Sequence, residues 1–176
     1  ATNIESDKIY EIDTLILATG FDAMTGALTN IDISGRGNIK LKDQWEGGAK
    51  SYLGLGISNF PNLFTVTGPG SPSVLSNMMP SIEQHVNWIT DCIDWMVQND
   101  KSVIESSETA EEDWMVLVNE IADMTIFTDT KSWYNGSNID AKAKAFLPFI
   151  GVPVYTEMLE EIVSENYKGF IFDKVN

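Results

Sequence analysis

Among 176 residues the chain has a single cysteine, Cys92, a single histidine, His85, and a single arginine, Arg36. One cysteine excludes an intrachain disulfide and a cysteine-based metal cluster. One histidine excludes a His-rich metal centre and argues against a nucleophilic triad. Cations are scarce as a class: 11 Lys and Arg stand against 26 Asp and Glu, a formal net charge of −15. Such a surface repels phosphate backbones, so nucleic acid is not an expected partner. No apolar run approaches the roughly 18 residues of a membrane span, and no basic stretch followed by an apolar one opens the chain. The expectation is a cytoplasmic protein without a membrane partner. A G-x-G-x-x-G loop is missing as well. Gly35-Arg36-Gly37 and Gly54-Leu55-Gly56 lack the third glycine and the helix that should follow.

What is present has more direction. At 43% apolar the chain can bury a core of domain size. Residues 8–18 read as a strand that runs into Ala18-Thr19-Gly20-Phe21-Asp22. Leu63–Thr67 reads as a second, ending in Gly68-Pro69-Gly70-Ser71. An apolar, β-branched run that stops at small residues is how a buried parallel strand ends beside a cofactor, where a Cβ would intrude. Strand ends without phosphate loops point to an α/β chain that is the C-terminal piece of a larger flavoprotein. Glycine-punctuated segments between Phe21 and Ser58, such as Ile31–Ile33 and Ile39–Leu41, predict small strands or hairpins.

The remainder reads as largely helical. A helix is predicted over Pro80–Gln98, with Pro80 at its first position and a Ser81/Gln84 capping box. Ile82, Val86, Ile89 and Ile93 would form its inward face. A second is predicted over Glu108–Met124, with a Thr109/Glu112 capping box and Trp114, Leu117, Val118 and Ile121 inward. A third covers Thr156–Asn166, followed by Gly169 and a short Phe170–Phe172 strand.

Several residues could carry chemistry. Ser71–Met79 joins the second strand to the Pro80 helix, so backbone N–H groups and a positive dipole end meet there. An electron-rich ring edge would be stabilised at that point; an ordinary strand–loop–helix connection is the competing reading. Cys92 reads as a small core residue. His85, one residue before inward-facing Val86, reads as making a helix hydrogen bond or a domain contact rather than as a catalyst. The acids Glu105, Glu108, Glu111, Glu112 and Asp113 read as a solvated face with favourable first-turn charge. Lys131–Asn138 places Trp133 and Tyr134 beside amides and Gly136, as a ribose- or nicotinamide-binding loop would, or as an aromatic plug would.

Taken in order, Ala18-Thr19-Gly20-Phe21-Asp22, Tyr52-Leu53-Gly54, Phe60-Pro61-Asn62-Leu63-Phe64, Gly68-Pro69-Gly70-Ser71-Pro72-Ser73, Ser81-Ile82-Glu83-Gln84-His85-Val86 and Ser132-Trp133-Tyr134-Asn135-Gly136 resemble the C-terminal third of Baeyer–Villiger monooxygenases of the phenylacetone and cyclohexanone type. The resemblance implies a flavoprotein with two dinucleotide-binding domains, using FAD and NADPH to insert one atom of O2 beside a ketone carbonyl through a flavin peroxide. It implies that residues 1–22 are the last strand of the NADP domain and its linker. Residues 23–176 would then be the C-terminal part of the FAD domain, with a mobile loop at about 125–145. Thr19, Gly20, Gly68, Pro69, Asn77, Met78, Met79 and Trp133 would contact cofactors; Ser73, Val74, Leu75 and Met78 would line the substrate pocket. The dinucleotide fingerprints and the catalytic arginine would belong to a preceding segment. One departure stands out: Asp140-Ala141-Lys142 replaces the family's usual Pro-Gly-Lys turn.

Two other readings compete. The same fold could serve N- or S-oxygenation, or the chain could be a stand-alone acidic module acting through protein contacts. Upstream sequence discriminates the first, and a start codon directly before Ala1 would favour the second.

Overall fold

The computed structural model describes residues 8–18, 22, 23, 25–72, 76–130, 135, 136 and 150–174. Two short helices, α1 (Gly26–Thr29) and α2 (Leu41–Gln44), lie in the first third, with a 3-10 turn at Arg36–Asn38 between them. Then come α3 (Met78–Gln98), β1 (Val103–Ser106), α4 (Glu108–Asp123), a 3-10 turn at Ile126–Asp129, α5 (Val152–Ser164) and β2 (Phe170–Asp173). Strands β1 and β2 pair antiparallel, with Val103 opposite Asp173 and Ser106 opposite Phe170.

The three long helices occur where the periodicity places them, but their caps do not. Helix α3 starts two residues early because the Asn77 side chain accepts the Met79 N–H, which leaves Pro80 at the third helical position. Ser81 and Gln84 form no capping box. Ser81 turns back to the Asn77 carbonyl, and Gln84 donates to Thr156 on α5. Helix α4 is capped by Ser107, which accepts from the Ala110 N–H, and not by Thr109. Helix α5 begins at Val152, four residues before its predicted start, with Pro153 in its first turn.

The inward face of α3 is the larger correction. Ser81, His85, Trp88, Cys92 and Met96 are buried, whereas Val86, Ile93 and Val97 are exposed. The helix is rotated by about one residue, or roughly 100°, from the β-branched stripe that suggested the core side. Aromatic packing explains it. The Trp88 ring meets Tyr167 edge-on at 5.2 Å and Phe170 at 5.3 Å, and Trp95 meets Phe172 at 4.8 Å. These large rings outweigh the smaller area that Val86 and Ile93 could bury. They join Tyr52, Leu53, Leu55, Trp114, Val118, Tyr155 and Leu159 in the main core. A second cluster, Leu41, Trp45, Ala49, Ile57 and Phe60, closes the first third.

Among the described residues neither predicted parallel strand is part of a sheet. Residues 8–18 are exposed along their length, Ile16 at 83%, and among the described residues the only sheet is β1–β2. A doubly buried strand draws its stability from neighbours on both edges, and no described strand lies beside this one. Of Leu63–Thr67, only Phe64 makes a bridge, to Gly56. The Ile31–Leu41 region likewise has a single bridge, Ser34 to Lys40, between short helical turns.

Candidate functional site

The turn from Thr65 to Ser71 is held by three elements at once. Thr65 Oγ1 donates to the Gly54 carbonyl at 2.7 Å. The Gly68 carbonyl accepts from the Ser71 hydroxyl at 2.8 Å and from its amide at 3.1 Å. Ser51 Oγ donates to the Pro69 carbonyl, and Trp114 Nε1 on α4 donates to the Gly70 carbonyl at 3.0 Å. The Thr67 N–H donates to His85 Nδ1 on α3 at 3.0 Å. Gly68, Pro69, Gly70 and Ser71 are buried. The Gly68, Pro69 and Gly70 carbonyls are each tied to a donor of the scaffold, which fixes the backbone of this turn. Trp114→Phe would leave the Gly70 carbonyl buried without its donor and should cost about 1–3 kcal/mol. A denaturant melt checks this; an unchanged midpoint would remove Trp114 from the turn's support.

Close backbone packing dictates the glycines. A Cβ on Gly68 would stand 2.4 Å from Thr65 Oγ1 and 2.8 Å from the Gly54 carbonyl oxygen. Gly54 has φ +73°, and a Cβ there would stand 2.5 Å from Ser71 Cβ.

His85 is fully buried and reaches both sides of the site. Its Nδ1 receives the Thr67 amide, and its Nε2 lies 2.9 Å from Tyr155 Oη on α5. Tyr155 donates its single proton to the Leu53 carbonyl at 2.6 Å. Burial pushes the imidazole down to about 4. The Val86 stripe hides its position on the buried face of α3; a face drawn through Trp88, Cys92 and Met96 includes it.

The acidic cluster is not simply a solvated face. The Glu111 carboxylate is buried and accepts the Ser58 N–H and hydroxyl, both at 2.8 Å. Desolvation raises its pKa, and the two Ser58 hydrogen bonds oppose that rise. Glu105 accepts the Asn59 N–H at 2.7 Å and pairs with Arg36 at 2.6 Å. The only arginine is therefore tied into the scaffold. Among the described residues no group of three His, Cys, Asp or Glu side chains could hold a metal ion. No described helix is long and apolar enough to cross a membrane.

Of the expected cofactor residues, Asn77, Met78 and Met79 are exposed at the start of α3, and Gly68 and Pro69 lie in the buried turn. The first turn of α3 offers fewer donors than a bare helix end. Asn77 Oδ1 occupies the Met79 N–H and Pro80 has none, which leaves the amides of Asn77 and Met78 outside the helix ladder. These amides and two exposed methionines fit one edge of a flavin ring. A G-x-G-x-x-G loop of the kind that cradles a pyrophosphate is missing from the sequence. Thr19, Gly20, Ser73, Val74, Leu75 and Trp133 lie outside the described residues.

No family profile matches the chain. Individual proteins do. Cyclohexanone 1,2-monooxygenase of Acinetobacter sp. is 38% identical over 95% of the chain, which spans 31% of that protein. Phenazine N-monooxygenase PhzNO1 of Lysobacter antibioticus is 39% identical over 92% of the chain, spanning 30% of it. The solved cyclohexanone monooxygenase from Rhodococcus sp. Phi1, bound to NADP+, superposes with a TM-score of 0.89. It is 37% identical, over 97% of this chain and 32% of its own. The chain belongs to the Baeyer–Villiger monooxygenase family. It spans about three tenths of the length of these relatives. Its fold is that of a portion of a two-domain flavoprotein. Such relatives are solved with both cofactors, as in the OTEMO complex with FAD and NADP, 32% identical with a TM-score of 0.86 over 95% of this chain and 31% of that one.

Proposed function

We propose that this chain is the C-terminal part of an FAD- and NADPH-dependent monooxygenase that inserts one oxygen atom of O2 beside a ketone carbonyl, giving an ester or lactone. The observation that carries the reading is the superposition on NADP-bound cyclohexanone monooxygenase across 97% of the chain. When bound, FAD supplies the activation of O2 and NADPH supplies the electrons. Residues 1–22 then close the NADP domain and 23–176 complete the FAD domain. The exposed apolar side chains of residues 9–17 and of Val86, Ile93 and Val97 are the surfaces that the rest of the protein would cover. Thr19, Gly20 and Trp133 are assigned to cofactor contact. The backbone of Gly68 and Pro69 and the α3 start at Asn77, Met78 and Met79 are assigned to the flavin edge.

Ser73, Val74, Leu75 and Met78 are assigned to the ketone pocket. They are small or apolar side chains in the segment that leads from the inward-tied turn into the start of α3, as a hydrophobic substrate requires. In the complete flavoprotein, Leu75→Gly should change relative kcat/KM among cyclic and aryl ketones by about 1–3 kcal/mol, with FAD content unchanged. An activity ratio equal to wild type in a folded, yellow variant would reduce this loop to a connection.

N-oxygenation is the second reading, favoured by the 39% identity to a phenazine N-monooxygenase. Assaying a ketone and an aromatic N-heterocycle side by side separates the two.

A further inference from the structure

We infer that His85 is a positioning residue: as the neutral Nε2–H tautomer it holds the turn at Thr67, and with it the Gly68–Pro69 backbone, in the place it must occupy beside the flavin. The part of this that concerns the flavin rests on the function proposed above; the hydrogen-bond device does not.

Its direction follows from one carbonyl. The Leu53 oxygen can only accept, so Tyr155 spends its hydroxyl proton there. Tyr155 Oη must then accept from His85 Nε2, which fixes the imidazole proton on Nε2. Nδ1 is left with its lone pair, and that lone pair takes the Thr67 N–H. Three segments far apart in sequence, at Leu53, Thr67 and Tyr155, are thereby locked through one ring. Thr67 needs the lock. It is β-branched and sits at φ +51°, a left-handed conformation that such residues avoid. The next residue is Gly68, where the space of a Cβ is already taken by Thr65 and Gly54. The turn cannot shift without disturbing that packing.

Protonation reverses the device. A second proton on Nδ1 would face the Thr67 N–H, donor against donor, and the turn would lose its hold. Among the described residues the groups that hydrogen-bond or stack with the ring are Thr67 from the turn and Tyr155 from α5, with Leu53 one step behind; no acid or base pairs with it. Burial of the ring holds the neutral form at ordinary pH.

The test exploits His85 being the only histidine. Long-range proton–nitrogen correlation on the 15N-labelled chain should show the Nε2–H tautomer at pH 7 and one titration near pH 4. An Nδ1–H tautomer, or titration at an ordinary histidine pKa, overturns the inference. Hydrogen exchange at the Thr67 amide reads the bond directly. Relative to its intrinsic rate, protection should fall about tenfold or more as pH drops through the histidine titration. His85→Asn, whose Oδ1 stands in for Nδ1, should keep protection at every pH, and His85→Gln should lose it. Equal protection in wild type and His85→Gln overturns the device. In the flavoprotein containing this chain, FAD affinity should weaken about tenfold over the same pH range in wild type but not in His85→Asn. If the imidazole and amide results hold and FAD affinity is indifferent, the flavin-positioning role is overturned. If FAD does not bind at any pH, the proposed function fails instead and the hydrogen-bond lock stands.

Discussion

Gly54→Ala should destabilise the fold by about 3–5 kcal/mol. Two costs combine. At φ +73° an alanine pays for a left-handed backbone that glycine adopts freely, and its Cβ would sit 2.5 Å from Ser71 Cβ and 2.8 Å from the Ser71 nitrogen. Neither neighbour is the loose end of a flexible side chain. Ser71 is buried, with its amide and hydroxyl both spent on the Gly68 carbonyl. Relief must come from moving the turn, and the turn is tied to Ser51, His85 and Trp114. Gly37→Ala provides the control, since it has a similar φ of +63° and open space around the new methyl. Denaturant midpoints of the two variants separate the clash from the backbone cost. Equal losses would mean that packing at Gly54 contributes nothing.

Acid should weaken the fold between about pH 6.5 and pH 4, and His85 should account for much of that loss. Its pKa is lowered on folding from 6.5 to about 4, so the folded state favours the neutral ring. The unfolded chain takes up the proton first. The contribution is therefore fully present above pH 6.5 and is lost as pH falls toward 4. At 1.36 kcal/mol per unit the full shift is worth roughly 3 kcal/mol. Glu111 has the opposite sign. Burial raises its pKa, so the folded protein gains from protonating it, and the net acid loss is smaller than His85 alone would give. Urea midpoints measured from pH 7 to pH 4 on wild type and His85→Asn check this. The two curves should converge toward pH 4, and a constant offset would remove His85 from the acid response.

Helical periodicity makes α3, α4 and α5 legible in the sequence, because each carries enough apolar spacing to mark itself. The β2 strand at Phe170–Asp173 is legible too, but its partner Val103–Ser106 is not. That partner is a four-residue strand with alternating burial, and it lies too close to the α4 cap to show a pattern of its own. Residues 8–18 and the Leu63–Thr67 segment read as buried strands for a sound reason: their composition suits burial against partners on both edges. Among the described residues those partners are absent, so the first is exposed and the second is a turn. The apolar stripe of α3 misleads for the same reason. Val86, Ile93 and Val97 form a surface that this chain leaves outside, while His85 and Trp88 take the inside. Sequence order carries the family more reliably than hydropathy carries the core. The inward placement of Trp114 is legible, but the hydrogen bonds of Ser51 to Pro69, Glu111 to Ser58 and Trp114 to Gly70 are not, because those partners lie 18 to 53 residues away.

Product analysis tests the central claim most directly. The complete flavoprotein containing this chain, given NADPH, 18O2 and a cyclic ketone, should form the ring-expanded lactone with one 18O atom in it. Unchanged ketone together with an 18O-labelled N-oxide from an aromatic N-heterocycle would contradict the ketone assignment. NADPH consumption that yields no labelled organic product would contradict the monooxygenase assignment itself.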